Sequence, residues 1–95
     1  MGKNKLVLNR LKAQLASKEM MNKTLAELLG VSEQAVSKWC TNNSQPSLQN
    51  VFKIAAYLDL PPSEIIGAKN PFVVDQTTGK LTTVATIPPT KPTPQ

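Results

Sequence analysis

The chain has 95 residues, enough for one domain with a modest core, and 40% of them are hydrophobic. Eleven Lys and Arg against six Asp and Glu give a net charge of +5 and an isoelectric point near 9.6, a balance that favours a polyanionic partner. With no His and a single Cys, the usual zinc-ligand spacings, a Cys–His catalytic pair and an internal disulfide are excluded. This predicts neither metal nor cofactor, and a reducing, cytoplasmic setting. No apolar run nears the roughly 20 residues of a membrane span, so no membrane partner is expected.

Leu8, Leu11 and Leu15 predict a first amphipathic helix from Lys5 to Ser17, with Arg10, Lys12 and Lys18 toward solvent. A second helix is predicted over Lys23–Leu29. Leu25, Leu28 and Leu29 recur on one face, small Ala26 admits a close neighbour, and Asn22 stands where an N-cap belongs. Gly30 then suits the left-handed residue just past a helix end. Ser32 can cap a third helix over Glu33–Cys40, in which Val36, Trp39 and Cys40 keep the spacing of a buried stripe. Glu33, Gln34, Ser37, Lys38 and Thr41 fall away from that stripe, each with donors or acceptors that match base edges or phosphates.

Ser47 predicts the cap of a fourth helix with Leu48, Val51, Phe52, Ala55 and Leu58 on its apolar face. Pro61-Pro62-Ser63-Glu64 opens a fifth through Ile66, closed by Gly67, with Asp59 or Ser63 offering a capping oxygen. The expected core is Leu11, Leu15, Leu25, Leu29, Val31, Val36, Trp39, Val51, Ile54, Ala55, Leu58, Leu60 and Ile65. Composition shifts at Asn70, which divides the chain into a helical domain, residues 1–69, and an extension, residues 70–95. Within the extension, β-branched residues from Phe72 to Val84 read either as two short strands around Gly79 or as a loosely docked segment. Pro-rich residues 87–95 read as disordered.

Two helices pinned together by Leu25, Ala26, Leu29, Val31, Val36 and Trp39, with a glycine hinge between them, form a helix-turn-helix pattern. Leu-Ala-Glu-Leu-Leu-Gly-Val-Ser, then Val-Ser-Lys-Trp, then Gln-Pro-Ser-Leu-Gln resemble the Cro/cI-type, or XRE, helix-turn-helix family from about Leu6 to Ile66, without insertion or deletion. The resemblance implies an all-α, five-helix, lambda-repressor-like fold that binds duplex DNA by inserting the third helix into the major groove. It assigns Glu33, Gln34 and Lys38 to base-reading positions, with Ser37 and Thr41 beside them. It also places Asn22 where the family usually has a phosphate-contacting Gln. Ser32, Asn42 and Asn43 complete the expected DNA-binding set.

The chain departs from the family in two places. Leu15 and Cys40 occupy the positions of a buried Arg–Glu pair found in some phage repressors, which predicts an apolar contact instead. Thr41-Asn42-Asn43 replaces Asn-Gly, with Asn42 taking the left-handed position.

Each residue also has a plainer reading. Gln34 and Lys38 are candidates for ordinary solvated positions, Trp39 is core rather than a base-stacking platform, and Cys40 is a buried structural thiol rather than a redox sensor. Asn22 serves as an N-cap, a phosphate ligand or both. Lys3, Lys5, Arg10, Lys12, Lys23 and Lys53 form a solvated fringe, of which only members near the recognition face would touch backbone. The expected role is a small repressor or regulator, with homodimerisation an open option. The alternative is an antitoxin-like module that binds a protein partner through residues 70–95. An enzyme is not expected, since Glu19, Glu27, Glu33, Asp59 and Glu64 are scattered and no Gly-rich phosphate loop is present.

Overall fold

The computed structural model describes residues 6–67 and 69–83. They form α1 (Leu11–Ser17), α2 (Asn22–Leu29), α3 (Glu33–Cys40), α4 (Leu48–Leu58), a 3₁₀ turn over Pro62–Glu64, and a hairpin of β1 (Phe72–Val74) and β2 (Leu81–Thr83). Leu11, Leu25, Val36, Ile54 and Ile65 are fully buried. Leu15, Ala26, Trp39, Val51, Ala55 and Leu58 join them in one core. Leu29, Val31 and Leu60, expected inside, are only partly buried and pack against this core from its edge.

The first helix starts six residues later than its apolar spacing predicts, because the chain before it is claimed by long-range pairing. Asn9 bridges to Ile66 in antiparallel sense, with Arg10 N–H donating to Ile65 O at 2.7 Å and Gly67 N–H to Leu8 O at 2.6 Å. A Cβ at position 67 would stand 3.1 Å from Leu8 O, so glycine is what lets the two backbones approach this closely. Asn9 Oδ1 accepts from Leu11 N–H at 2.9 Å and starts α1 in place of a conventional cap.

The expected fifth helix is a single 3₁₀ turn, so four α-helices are present among the described residues rather than five. Pro61 and Pro62 carry no amide hydrogen, and Ile66 is committed to the bridge with Asn9, which leaves room for one turn only. Neither Asp59 nor Ser63 caps it; Asp59 instead ends α4 in the left-handed conformation at φ 58°. Ser47 Oγ accepts from Asn50 N–H at 3.0 Å, as its cap position predicts. Leu48 and Phe52, assigned to the inner face of α4, are 68% and 55% exposed, because Val51, Ile54, Ala55 and Leu58 fill the contact with the rest of the core.

The hairpin follows the β reading of the extension: Phe72 pairs with Thr83, Val73 with Thr82 and Val74 with Leu81. Asp75 organises its turn, with Oδ1 accepting from Thr77 N–H at 2.7 Å and its carbonyl from Gly79 N–H at 2.7 Å. The domain is therefore helical with a small two-stranded appendage rather than wholly α. Val84, the Pro-rich stretch 87–95, and the expected helical start at Lys5 lie outside the described residues.

Candidate nucleic-acid interface

Helices α2 and α3 share the most intimate packing of any pair of helices. Leu25 and Ala26 from α2 and Val36 and Trp39 from α3 are buried, and Val31 sits half-buried between them. The chain turns at Gly30, whose φ of 73° and ψ of 32° define the left-handed end of α2; Val31 N–H then donates back to Ala26 O at 3.0 Å. Ser32 Oγ accepts from Ala35 N–H at 3.0 Å, and Glu33 stands in the first turn of α3, where a carboxylate complements the free amides. The hinge bends and the second helix is capped, as the residue pattern demands.

Packing of Val36 and Trp39 inward leaves Glu33, Gln34, Ser37, Lys38 and Thr41 exposed together on the opposite side of α3. Ser32 and Asn43 are exposed at its two ends. Thr41 Oγ1 lies within donating range of Ser37 O and Lys38 O, at 3.3 and 3.2 Å. Trp39 is 7% exposed and belongs to the core, which removes it as a stacking platform.

Asn22 is the first residue of α2 rather than its N-cap; Met21 holds that place and makes no side-chain cap. Asn22 is half-buried, and its Oδ1 lies 3.7 Å from Cys40 Sγ as acceptor of the thiol hydrogen. Cys40 is accordingly part-buried rather than fully enclosed, and it packs against the core cluster that contains Leu15. Burial pushes its thiol above the ordinary range, while the charge of Lys12 pulls the other way.

Asn42 takes the left-handed position at φ 61°, as expected, but its side chain is committed inside the protein. Oδ1 accepts from Leu8 N–H at 2.8 Å, Asn9 N–H at 3.1 Å and Gln45 Nε2 at 3.0 Å, and Nδ2 donates to Asn9 O at 3.2 Å. That amide fastens the loop after α3 to the segment before α1 and is not presented to a ligand. Asn9, 5% exposed, completes the clamp by donating to Trp39 O at 2.9 Å and Gln45 Oε1 at 2.7 Å. Sequence reasoning missed Asn9 and Gln45. The available signal was an Asn just ahead of an apolar helical run, and periodicity through Leu8 masked it.

Among the described residues no group of three His, Cys, Asp or Glu side chains is placed to hold a metal, and no helix is long and apolar enough to cross a membrane.

A helix pair hinged at glycine, with a capped second member that carries a polar outward face, defines the helix-turn-helix class. The helix-turn-helix family model matches residues 11–65, and the chain belongs to that family, of the Cro/cI or XRE type. It is similar to a solved structure described as a "putative DNA-binding protein" from Bacteroides fragilis, with 47% identity and a TM-score of 0.62 over 63% of this chain and 97% of that one. No curated protein matches the chain.

Proposed function

We propose that this protein is a sequence-specific duplex-DNA-binding regulator that acts by occupying its site, and so represses transcription there. The observation that carries this is the exposed row Glu33, Gln34, Ser37, Lys38 and Thr41 on a helix braced from behind by Val36 and Trp39. Membership of a DNA-binding family, and likeness to a chain described as DNA-binding, support the same reading. Gln34 has the donor and acceptor pair for adenine, Lys38 donates to guanine, and Glu33 accepts from cytosine N4, each good pair giving about 1–3 kcal/mol of discrimination. Ser32, Asn22, Ser37, Thr41 and Asn43 hold the register on phosphates, while Asn42 acts through the loop it organises. Residues 1–69 form the DNA-binding unit and residues 70–95 its extension. As a homodimer it would set two recognition helices about 34 Å apart on a two-fold-symmetric site.

In vitro selection from random duplex DNA, followed by titration, tests this. The wild type is expected to yield a consensus, and the Gln34→Ala/Lys38→Ala double variant to stay folded and lose preference for it. Equal discrimination by both proteins would overturn the assignment of base reading to α3.

A further inference from the structure

A shallow cleft opens where α1, the start of α2 and the last turn of α3 meet, lined by Lys12, Met21, Asn22, Ser37, Cys40 and Thr41 with Leu15, Ala16 and Met20 behind them. Lys12, the Asn22 amide and the Ser37 hydroxyl bring donors to an otherwise largely apolar wall, the Thr41 hydroxyl being turned to Ser37 O and Lys38 O, and no carboxylate lines it. The Asn22 amide is oriented by the Cys40 thiol on its oxygen side, and among the described residues its Nδ2 has no acceptor. Ser37 and Thr41 also belong to the outward row of α3, so the cleft adjoins the face assigned to DNA.

Lys12 supplies the charge. It is the second residue of α1, exposed, and near enough to Cys40 for its ammonium to act on the thiol. Among the described residues the one ion pair is Arg10–Glu64, at 3.8 Å, so Arg10, the residue just before α1, already has a carboxylate and Lys12 has none. Of the fringe cations that the structure describes, Arg10, Lys12, Lys23 and Lys53, Lys12 is the one that lines this recess at the edge of the recognition face.

We infer that Lys12 is a phosphate-clamping residue: with the Asn22 amide and the Ser37 hydroxyl it grips one phosphodiester of duplex DNA beside α3, fixing the helix's register without reading sequence. This rests on the proposed function and adds a contact from outside the helix-turn-helix itself. Phosphate neutralisation releases counterions, so loss of one such contact flattens the dependence of log affinity on log salt by about 0.9 in B-DNA and weakens all duplex sequences alike.

The experiment compares wild type, Lys12→Gln, Lys12→Arg and, as a matched loss of charge on the hairpin, Lys80→Gln. Each is titrated on the selected duplex and on a scrambled one at several salt concentrations, with folding checked by circular dichroism. Lys12→Gln is expected to flatten the salt slope by about one unit, weaken both duplexes by the same factor and keep the wild-type ratio between them. Lys12→Arg is expected to restore the slope, and Lys80→Gln to leave it nearly unchanged. Equal slopes for wild type and Lys12→Gln, or equal flattening by Lys12→Gln and Lys80→Gln, would overturn the clamp while leaving base reading by α3 intact. A wild type that shows no salt-dependent binding to any duplex would overturn both. In a parallel NMR titration at fixed ionic strength, duplex is expected to shift the Asn22 side-chain amide and inorganic phosphate to leave it in place; equal shifts would reassign the recess to free anions.

Discussion

Single side chains in this protein divide into those whose role follows from spacing and those whose role follows from what lies opposite. Trp39 is of the first kind. It sits three residues after Val36 on the inner stripe of α3 and is 7% exposed, so Trp39→Ala is expected to lower stability by about 3–5 kcal/mol in chemical denaturation, with the recognition row disordered as a consequence. Asn42 is of the second kind. Its left-handed backbone was legible, since Asn tolerates that region, but three of its four side-chain hydrogen bonds join residues more than thirty positions apart and left no local trace. Cys40 combines the two. Burial raises its thiol pKa, with Lys12 opposing, so the folded protein holds the proton more tightly than the unfolded chain does. The corresponding stabilisation is present below the thiol's unfolded pKa and fades as pH rises through the folded value. Alkylation by iodoacetamide is therefore expected to be slow at neutral pH and to accelerate only above the pH at which an exposed cysteine reacts; a rate matching that of an unfolded control at every pH would contradict this.

Helix ends show how local chemistry and tertiary demand compete. Helix α3 was readable to the residue because Gly30, Ser32 and the Val36–Trp39 stripe all agree, and nothing distant interferes. Gly30 stands at φ 73° with open space around it, so Gly30→Ala meets no clash and its expected cost, about 1–2 kcal/mol by thermal melting, is purely the left-handed backbone. Glu19 poses the converse case. It follows α1 at φ 56° with a side chain that no described contact uses, and Glu19→Gly is expected to raise stability by up to about 1 kcal/mol. Both signs reversed would mean that these two turns are not left-handed in solution. The start of α1 and the extent of the fifth helical segment differ from the sequence expectation for one shared reason. Leu8–Arg10 and Ile65–Gly67 satisfy their backbone groups with each other, and residues that pair across the fold are unavailable to extend either helix.

Taken as a body, the protein is a helical unit with a small β appendage. Packing among α1, α2, α3, α4 and the 3₁₀ turn accounts for the buried core, to which the hairpin contributes no residue; Phe72 lines an open cleft with Leu8 and Ile66. Removal of residues 70–95 is thus expected to shift the calorimetric midpoint by less than about 4 °C, equivalent to under about 1 kcal/mol. A larger fall would make the hairpin part of the core.

Periodicity, one glycine and one serine cap were enough to specify the helix pair and the outward row on α3, because the helix ends and faces arise from interactions a few residues apart in sequence. The clamp of Asn9, Asn42 and Gln45, the shortened first helix and the recess that sets Lys12 apart from Arg10, Lys23 and Lys53 required the folded chain. They depend on which distant segments lie side by side, and hydrogen bonds and charge act through space without regard to order along the backbone.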